Sequence, residues 1–334
     1  MTKLANDTRV FKINPEINVQ NVRFDNRYGY TLAGQLYLPK DFKDGKKYAA
    51  IAITGPFGAV KEQASGLYAQ TLAERGFVTI AFDQSMTGES SGKRRNMASP
   101  DIFVEDFSAA VDFLGTQKFV NREKIGVIGI CGLGSHALTA ASIDIRIKAV
   151  ATSVMYDMAD SMWKGLNNTK TEKQRKLEKE YLAKMRWQEV DEGPVGGPHE
   201  LPFDENDKPI YFKKLFSKEL PADADPVTTD FFNYYVKRAF HPRSINSNAA
   251  WDALTPMGYY NFPLQQKIET IKAPKLIVTG EKAHSRYMAE EAYNRLKDPK
   301  ELLVVPNATH VDLYDRMDKI PFDKFDEFFE NNLK

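Results

Sequence analysis

The chain has almost nothing to cross-link with and nothing to cross a bilayer with. Its 334 residues include one cysteine, Cys131. A single thiol cannot close an intramolecular disulfide, which fits a reducing compartment and gives the expectation of a cytoplasmic protein. No apolar run approaches the roughly 20 residues that a membrane-spanning helix needs. The opening "MTKLANDTRVFKINPE" lacks the apolar core of a secretory signal. Net charge is scarce as well: 46 Lys and Arg stand against 45 Asp and Glu, a formal +1. Such a balance offers no field for nucleic acid or an anionic membrane surface. One cysteine cannot build a thiolate metal site, and no His, Cys and Asp group has ligand spacing, so neither metal nor other cofactor is expected. Internal repeats and low-complexity tracts are missing too.

What is present is a strand–helix rhythm. Hydrophobic residues make up 42% of the chain, enough for a sizeable core. Two β-rich runs flank Asp25-Asn26-Arg27 and read as an antiparallel hairpin. The runs "YAAIAITG", "FVTIAF", "KIGVIGI" and "IKAVATSVM" are nearly all apolar, as strands buried on both faces must be, and helical stretches separate them. The alternation predicts an α/β fold with a mostly parallel sheet covered by helices on both faces. From about Tyr156 to Pro263 the rhythm stops, and the sequence turns charged and aromatic before "APKLIVTG" restores it. This places a core at residues 1–155 and 264–334 and a helical cap inserted at 156–263.

The stretch "KIGVIGICGLGSHALTAA" allows two readings. Gly132-Leu133-Gly134-Ser135-His136-Ala137 fits a dinucleotide-binding turn, with Asp157 about twenty positions on as a ribose ligand. That fingerprint normally sits on the first strand of its domain, whereas here a hairpin and two βα units come first. The second reading is a nucleophile elbow, a sharp strand-to-helix turn flanked by small residues and carrying Cys131. A thiol at a helix N-terminus gains from the dipole and free N–H groups, which favour the thiolate. The stretch alone does not separate this from a buried, inert cysteine.

The order of the remaining parts separates them. Glu281 follows the strand "KLIVTG", and His310 lies in the loop after "ELLVVP", so nucleophile, acid and histidine come in the order an α/β-hydrolase uses. The pieces "GPFGAVKEQ", "AFDQSMTGESSG", "GICGLG", "TGEKAHSRY" and "NATHVDLYD" resemble the dienelactone-hydrolase-related branch of the α/β-hydrolases, whose members carry cysteine at the elbow. The likeness runs across most of the chain outside the insertion. Leu133 departs from it, where a small residue is usual, and so does Gly55-Pro56, where His-Pro is frequent. So does Ala283, which stands where Gly-x-x-Asp would put the acid.

These observations give the following expectations. Cys131 attacks an acyl carbon, His310 takes and returns the proton, and Glu281 orients the imidazole, with Asp157 as the alternative acid. The resemblance implies an oxyanion hole from the N–H groups of Gly132 and Phe57. Asp83 and Glu89 brace the loops, and Asp312 caps the last helix. Met155, Met158, Met162 and Trp163, with "FFNYY" and "GYYNF", supply either an acyl pocket or the cap's own core. The reaction expected is cleavage of an ester, thioester or lactone. Acyl transfer through the same intermediate is the near variant, and a silent ligand-binding protein is the alternative class. The expected partner is a small, apolar acyl substrate, with self-association into a homo-oligomer allowed.

Overall fold

The structure, a computed structural model, describes residues 7–211 and 214–334. Strands β1 (Asn18–Asp25) and β2 (Thr31–Leu38) form the expected antiparallel hairpin. There follow β3 (Tyr48–Thr54), α1 (Ala64–Glu74), β4 (Val78–Phe82), α2 (Pro100–Thr116), β5 (Val120–Ile130), α3 (Leu133–Ile143) and β6 (Ala149–Ser153). The next stretch holds α4 (Met158–Lys164), α5 (Glu172–Glu192), β7 (Gly196–Gly197), α6 (Pro226–Phe232), α7 (Ile245–Asn248), β8 (Trp251–Asp252) and α8 (Thr255–Tyr259). The chain closes with β9 (Lys275–Gly280), α9 (Arg286–Arg295), β10 (Lys300–Val305), α10 (Asp312–Asp315) and α11 (Phe322–Leu333).

Eight strands form one sheet in the order β1-β2-β4-β3-β5-β6-β9-β10. Only the pairings of β1 with β2 and of β2 with β4 are antiparallel; the rest are parallel. Alternation along β3 explains the two cores. Tyr48, Ala50 and Ala52 join the apolar layer under α2, α3 and α9, while Ala49, Ile51 and Ile53 join the layer under α1 and α11. Burial on both faces is why these strands read as unbroken apolar runs.

The described residues of 156–263 add no strand to this sheet, and the strands on either side of them, β6 and β9, are hydrogen-bonded neighbours. Local chemistry fixes the helices of this stretch. Thr171 and Gln174 form a reciprocal capping box at the start of α5, and Asp225 caps α6 ahead of Pro226. No helix among the described residues is long and apolar enough to cross a membrane.

All six parallel strands end at the same edge. That edge therefore carries Phe57 after β3, Cys131 after β5, Tyr156 after β6, Ser285 after β9, and His310 and Tyr314 after β10. Loops at this edge are free to gather side chains around a point no single strand could surround.

Candidate active site

Cys131 is the hinge between β5 and α3 and has φ +55°, a left-handed conformation that costs an L-residue roughly 1–2 kcal/mol. The glycines around it answer to close packing. A Cβ at Gly129 would lie 2.3 Å from the Leu133 carbonyl oxygen, and one at Gly132 would lie 2.6 Å from Met158 Sδ and 2.8 Å from Phe57 Cβ. Leu133, unusual at its position, turns into the core and is 1% exposed. The elbow geometry is thus the one the sequence predicts. The dinucleotide reading finds no room: Met155, Met158 and Phe57 pack against the glycines that would have to approach a pyrophosphate. Asp157, its ribose ligand, caps α4 instead by accepting from the N–H groups of Ala159 and Asp160.

The backbone N–H groups of Gly132 and Phe57 counter the effect of burial on the Cys131 thiol, and Phe57 packs directly against Gly132. The second is held in place from several sides. Phe57 stacks on Trp251 with ring centroids 4.2 Å apart, and Asn246 Nδ2 donates to the Phe57 carbonyl at 2.8 Å. Asp83 accepts from the N–H groups of Lys61 (2.7 Å) and Glu89 (2.8 Å), so it braces this loop against the next, as expected. The Lys61 ammonium joins Asp83, Glu62 and Glu89 at 3.0, 2.8 and 2.7 Å.

Cys131 lies at the bottom of a cavity of about 270 Å3. Phe57, Met158, Leu215, Phe216, Phe231 and Tyr235 give it an aromatic and aliphatic wall. Ser161, His199 and Glu200 form a polar portion, and burial raises the Glu200 pKa. Of the residues considered for an acyl pocket, Met158, Phe231 and Tyr235 line it. Met155 and Met162 are core, Trp163 packs on Tyr260, and Tyr259 hydrogen-bonds His136.

The histidine is where the sequence placed it, but its partners are not the expected ones. His310, 1% exposed, has Nδ1 2.7 Å from Ser285 Oγ and Nε2 2.9 Å from the Tyr314 hydroxyl. Tyr314 in turn lines the same cavity as Cys131 and counters the effect of burial on its thiol. Glu281 does not orient His310: its carboxylate points outward and accepts from the Asn307 N–H at 2.7 Å, fastening the loop after β10. Asp157, the alternative, is engaged by α4 and by Gln265 Nε2 at 2.7 Å. Asp312 does not cap α11 but opens the short α10, accepting from the Thr309 N–H at 2.9 Å. His284, the rival histidine, stacks on His310 with centroids 4.7 Å apart and pairs with the Tyr156 hydroxyl.

Burial decides the protonation states. It lifts the Cys131 thiol above its ordinary value, and the Tyr314 hydroxyl and the two N–H groups offset this only in part. Burial also holds His310 well below the usual imidazole range, and His284 adds to the effect. The dipole argument from sequence therefore loses to desolvation. Both shifts favour a neutral resting thiol and imidazole, and the hydrogen bonds of His310 go to Ser285 and Tyr314 rather than to a carboxylate. Iodoacetamide alkylation of this only thiol should accordingly rise with a midpoint above the reference of about 8.5. Fast alkylation already at pH 6 would instead require a resting thiolate.

Among the described residues no group of three or more His, Cys, Asp or Glu side chains gathers to hold a metal ion. The cationic run Lys93-Arg94-Arg95 is not an anion site: Arg94 is clamped by Asp252 and Glu189, and Arg95 donates to the Gly88 and Ser90 carbonyls.

Known proteins share this arrangement of elements. The uncharacterized protein PA2218 of Pseudomonas aeruginosa is 49% identical over 327 residues, 97% of this chain and 84% of that protein. Its crystal structure matches with a TM-score of 0.90 at 48% identity, covering 100% of this chain and 99% of the other. The α/β hydrolase GrgF of a Penicillium species shares the fold, with a TM-score of 0.75, 18% identity and coverage of 95% and 99%. Two fungal proteins match over shorter stretches. Thiohydrolase aneE of Aspergillus aculeatus is 32% identical over 139 residues, 42% of each chain. Polyketide transferase claH of Penicillium crustosum is 32% identical over 133 residues, 40% of this chain and 43% of the other. Residues 29–195, half of the chain, match the family model described as X-Pro dipeptidyl-peptidase (S15 family). With its α/β-hydrolase sheet, the chain belongs to that S15 family.

Proposed function

We propose that the protein is an acyl-group hydrolase that works through a covalent thioester on Cys131, with His310 as base and the N–H groups of Gly132 and Phe57 as oxyanion hole. The observation that carries this is the left-handed Cys131 lining a mostly apolar cavity at a strand-to-helix turn, with Gly132 and Phe57 packed beside it. Donors fixed before the reaction stabilise the negative charge of a tetrahedral adduct without reorganising. The cavity is at the small end of ligand pockets, roughly 300–1,000 Å3, which suits a short or medium apolar acyl group. The thiohydrolase and transferase relatives support thioester chemistry, and transfer of the acyl group to an alcohol or amine is the close variant.

Thioesters and activated esters fit better than amides. A thiol leaving group, with a pKa near 8.5, departs without prior protonation, whereas an amine needs a proton from an imidazolium that here has no carboxylate beside it. On this reading residues 156–263 cap the cavity, the cysteine nucleophile is of the dienelactone-hydrolase type, and the protein acts in the cytoplasm on a small molecule without a cofactor. A silent ligand-binding protein is the second reading, favoured by the raised thiol pKa.

The test is mass spectrometry of the intact protein after mixing with p-nitrophenyl butyrate and with an acyl thioester of the same chain. An acyl adduct mapping to Cys131 is expected, and a p-nitrophenol burst should accompany it. Binding without adduct or turnover would favour the silent reading. Added alcohol or amine separates transfer from hydrolysis by the product formed.

A further inference from the structure

The three hydrogen-bonding side chains on the thiol's flank form one line, from Cys131 through Tyr314 and His310 to Ser285. Tyr314 and Cys131 line the same cavity, the Tyr314 hydroxyl is 2.9 Å from His310 Nε2, and Ser285 Oγ is 2.7 Å from Nδ1. The histidine's two hydrogen bonds go to Tyr314 and Ser285, so the thiol meets the base only by way of a phenol. We propose that Tyr314 is a catalytic residue, carrying the proton between the Cys131 thiol and His310, with Ser285 rather than a carboxylate fixing the imidazole. This rests on the acyl-enzyme reading above.

Geometry supports a permanent relay rather than a side chain caught in passing. His310 lies just before α10 and Tyr314 within it, four residues on, and the two side chains meet at 2.9 Å. Tyr314 is 0% exposed and is packed by the rings of Phe231, Tyr234 and Tyr235 at centroid distances of 6.4, 5.1 and 6.3 Å. These three rings hold it at the wall of the cavity that Cys131 also lines. Burial and the nearby sulfur push the phenol's pKa well up, so it stays protonated and can pass a proton only by receiving one at the same time.

The step balances as follows. In the tautomer with Nδ1–H donated to Ser285, Nε2 accepts from the Tyr314 hydroxyl. A sulfur lone pair bonds to the acyl carbon, and the carbonyl π pair moves to oxygen under the N–H groups of Gly132 and Phe57. The thiol proton passes to the Tyr314 oxygen while the phenol's own proton passes to Nε2. Collapse of the adduct expels the alkoxide or thiolate, which takes the proton back by the reverse path. Water then enters and repeats the cycle, releasing the acid and restoring the thiol. Tyrosine is unchanged overall, and no outside oxidant or reductant is needed.

The experiment is single-turnover acylation by p-nitrophenyl butyrate in the wild type, Tyr314→Phe, His310→Ala and the double variant, with the pH profile of each. Tyr314→Phe removes one hydroxyl and should lower the acylation rate about 100-fold or more, as loss of general-base help does. The double variant should be no slower than His310→Ala alone, since both serve one path. A proton inventory in H2O–D2O mixtures, made on the wild type, avoids any folding question and should curve, because two protons move together. Tyr314→Phe acylating within about threefold of wild type, or a linear inventory, would overturn the relay and leave the acyl-enzyme reading standing. A wild type that forms no adduct would overturn both.

Discussion

Cys131→Ala should lower acyl turnover by about 1,000-fold or more, the scale seen when a covalent nucleophile is removed while the rest of a site stays in place. Stability should hardly follow. The side chain lost is small, and Cys131 lines the cavity at the rim of the core. The backbone sharpens the prediction, because Cys131 sits at φ +55°. Glycine takes that conformation without the roughly 1–2 kcal/mol that an L-residue carries there, which more than balances its extra chain entropy of about 0.5–1 kcal/mol. Cys131→Gly should therefore unfold at the same urea concentration as Cys131→Ala or a higher one, and be equally inactive. Denaturant titration beside progress curves with a p-nitrophenyl ester measures both. A Cys131→Ala protein that still turned over would remove the cysteine from the chemistry altogether.

The largest loss of stability should come from Lys61→Met, about 3–5 kcal/mol, as is usual when one partner of a buried ion pair is deleted. The Lys61 side chain is 1% exposed and its ammonium meets three carboxylates. Burial alone would pull its pKa down, but Asp83 and Glu62 hold it above the ordinary lysine value. Without Lys61, Arg243 still reaches Glu62 at 2.8 Å, but the Asp83 side chain, 0% exposed, has no cation left. Thermal unfolding should fall by roughly 4–7 °C. Adding Asp83→Asn should recover part of the loss, because the stranded charge is gone; additive losses would show that Lys61 acts by packing alone. Activity should fall with stability, since the Lys61 N–H and Asp83 anchor the loop that supplies the Phe57 donor.

What the sequence shows best here is what sterics dictate locally. Unbroken apolar runs mark strands covered on both faces, and Gly129 and Gly132 mark the elbow because a Cβ at either would strike its neighbours. Strand edges are less legible. β5 begins at Val120 rather than near Lys124, because its pairing with β3 skips at a register shift between Tyr48 and Ala50. The acid position is the clearest miss. A carboxylate just after β9 is visible in the sequence, but which way it points depends on the loop after β10, whose Asn307 N–H claims Glu281. Ser285 falls inside a stretch that carried the family resemblance and has no motif of its own. Tyr314 was findable: it stands four residues after His310 in a stretch that carried the family resemblance, and only the short α10 that holds it went unseen. The thiol's acidity was misjudged for a related reason, since a dipole can be read from a helix start whereas desolvation needs the whole cavity.

The gap between β6 and β9 has one further consequence. These strands are adjacent, so the intervening hundred or so residues leave the sheet and return to it at a single point. Cys131, His310, Tyr314 and Ser285 all come from outside that stretch, whereas Met158, His199, Glu200, Phe231 and Tyr235 come from inside it. Under the proposed function, reactivity and selectivity thus fall on separate pieces of chain with one splice site between them. A lineage, or a protein engineer, can graft a different loop-and-helix module there and obtain a new substrate preference on an inherited reaction centre, provided the graft still offers an amide like that of Asn246 to steady the Phe57 carbonyl.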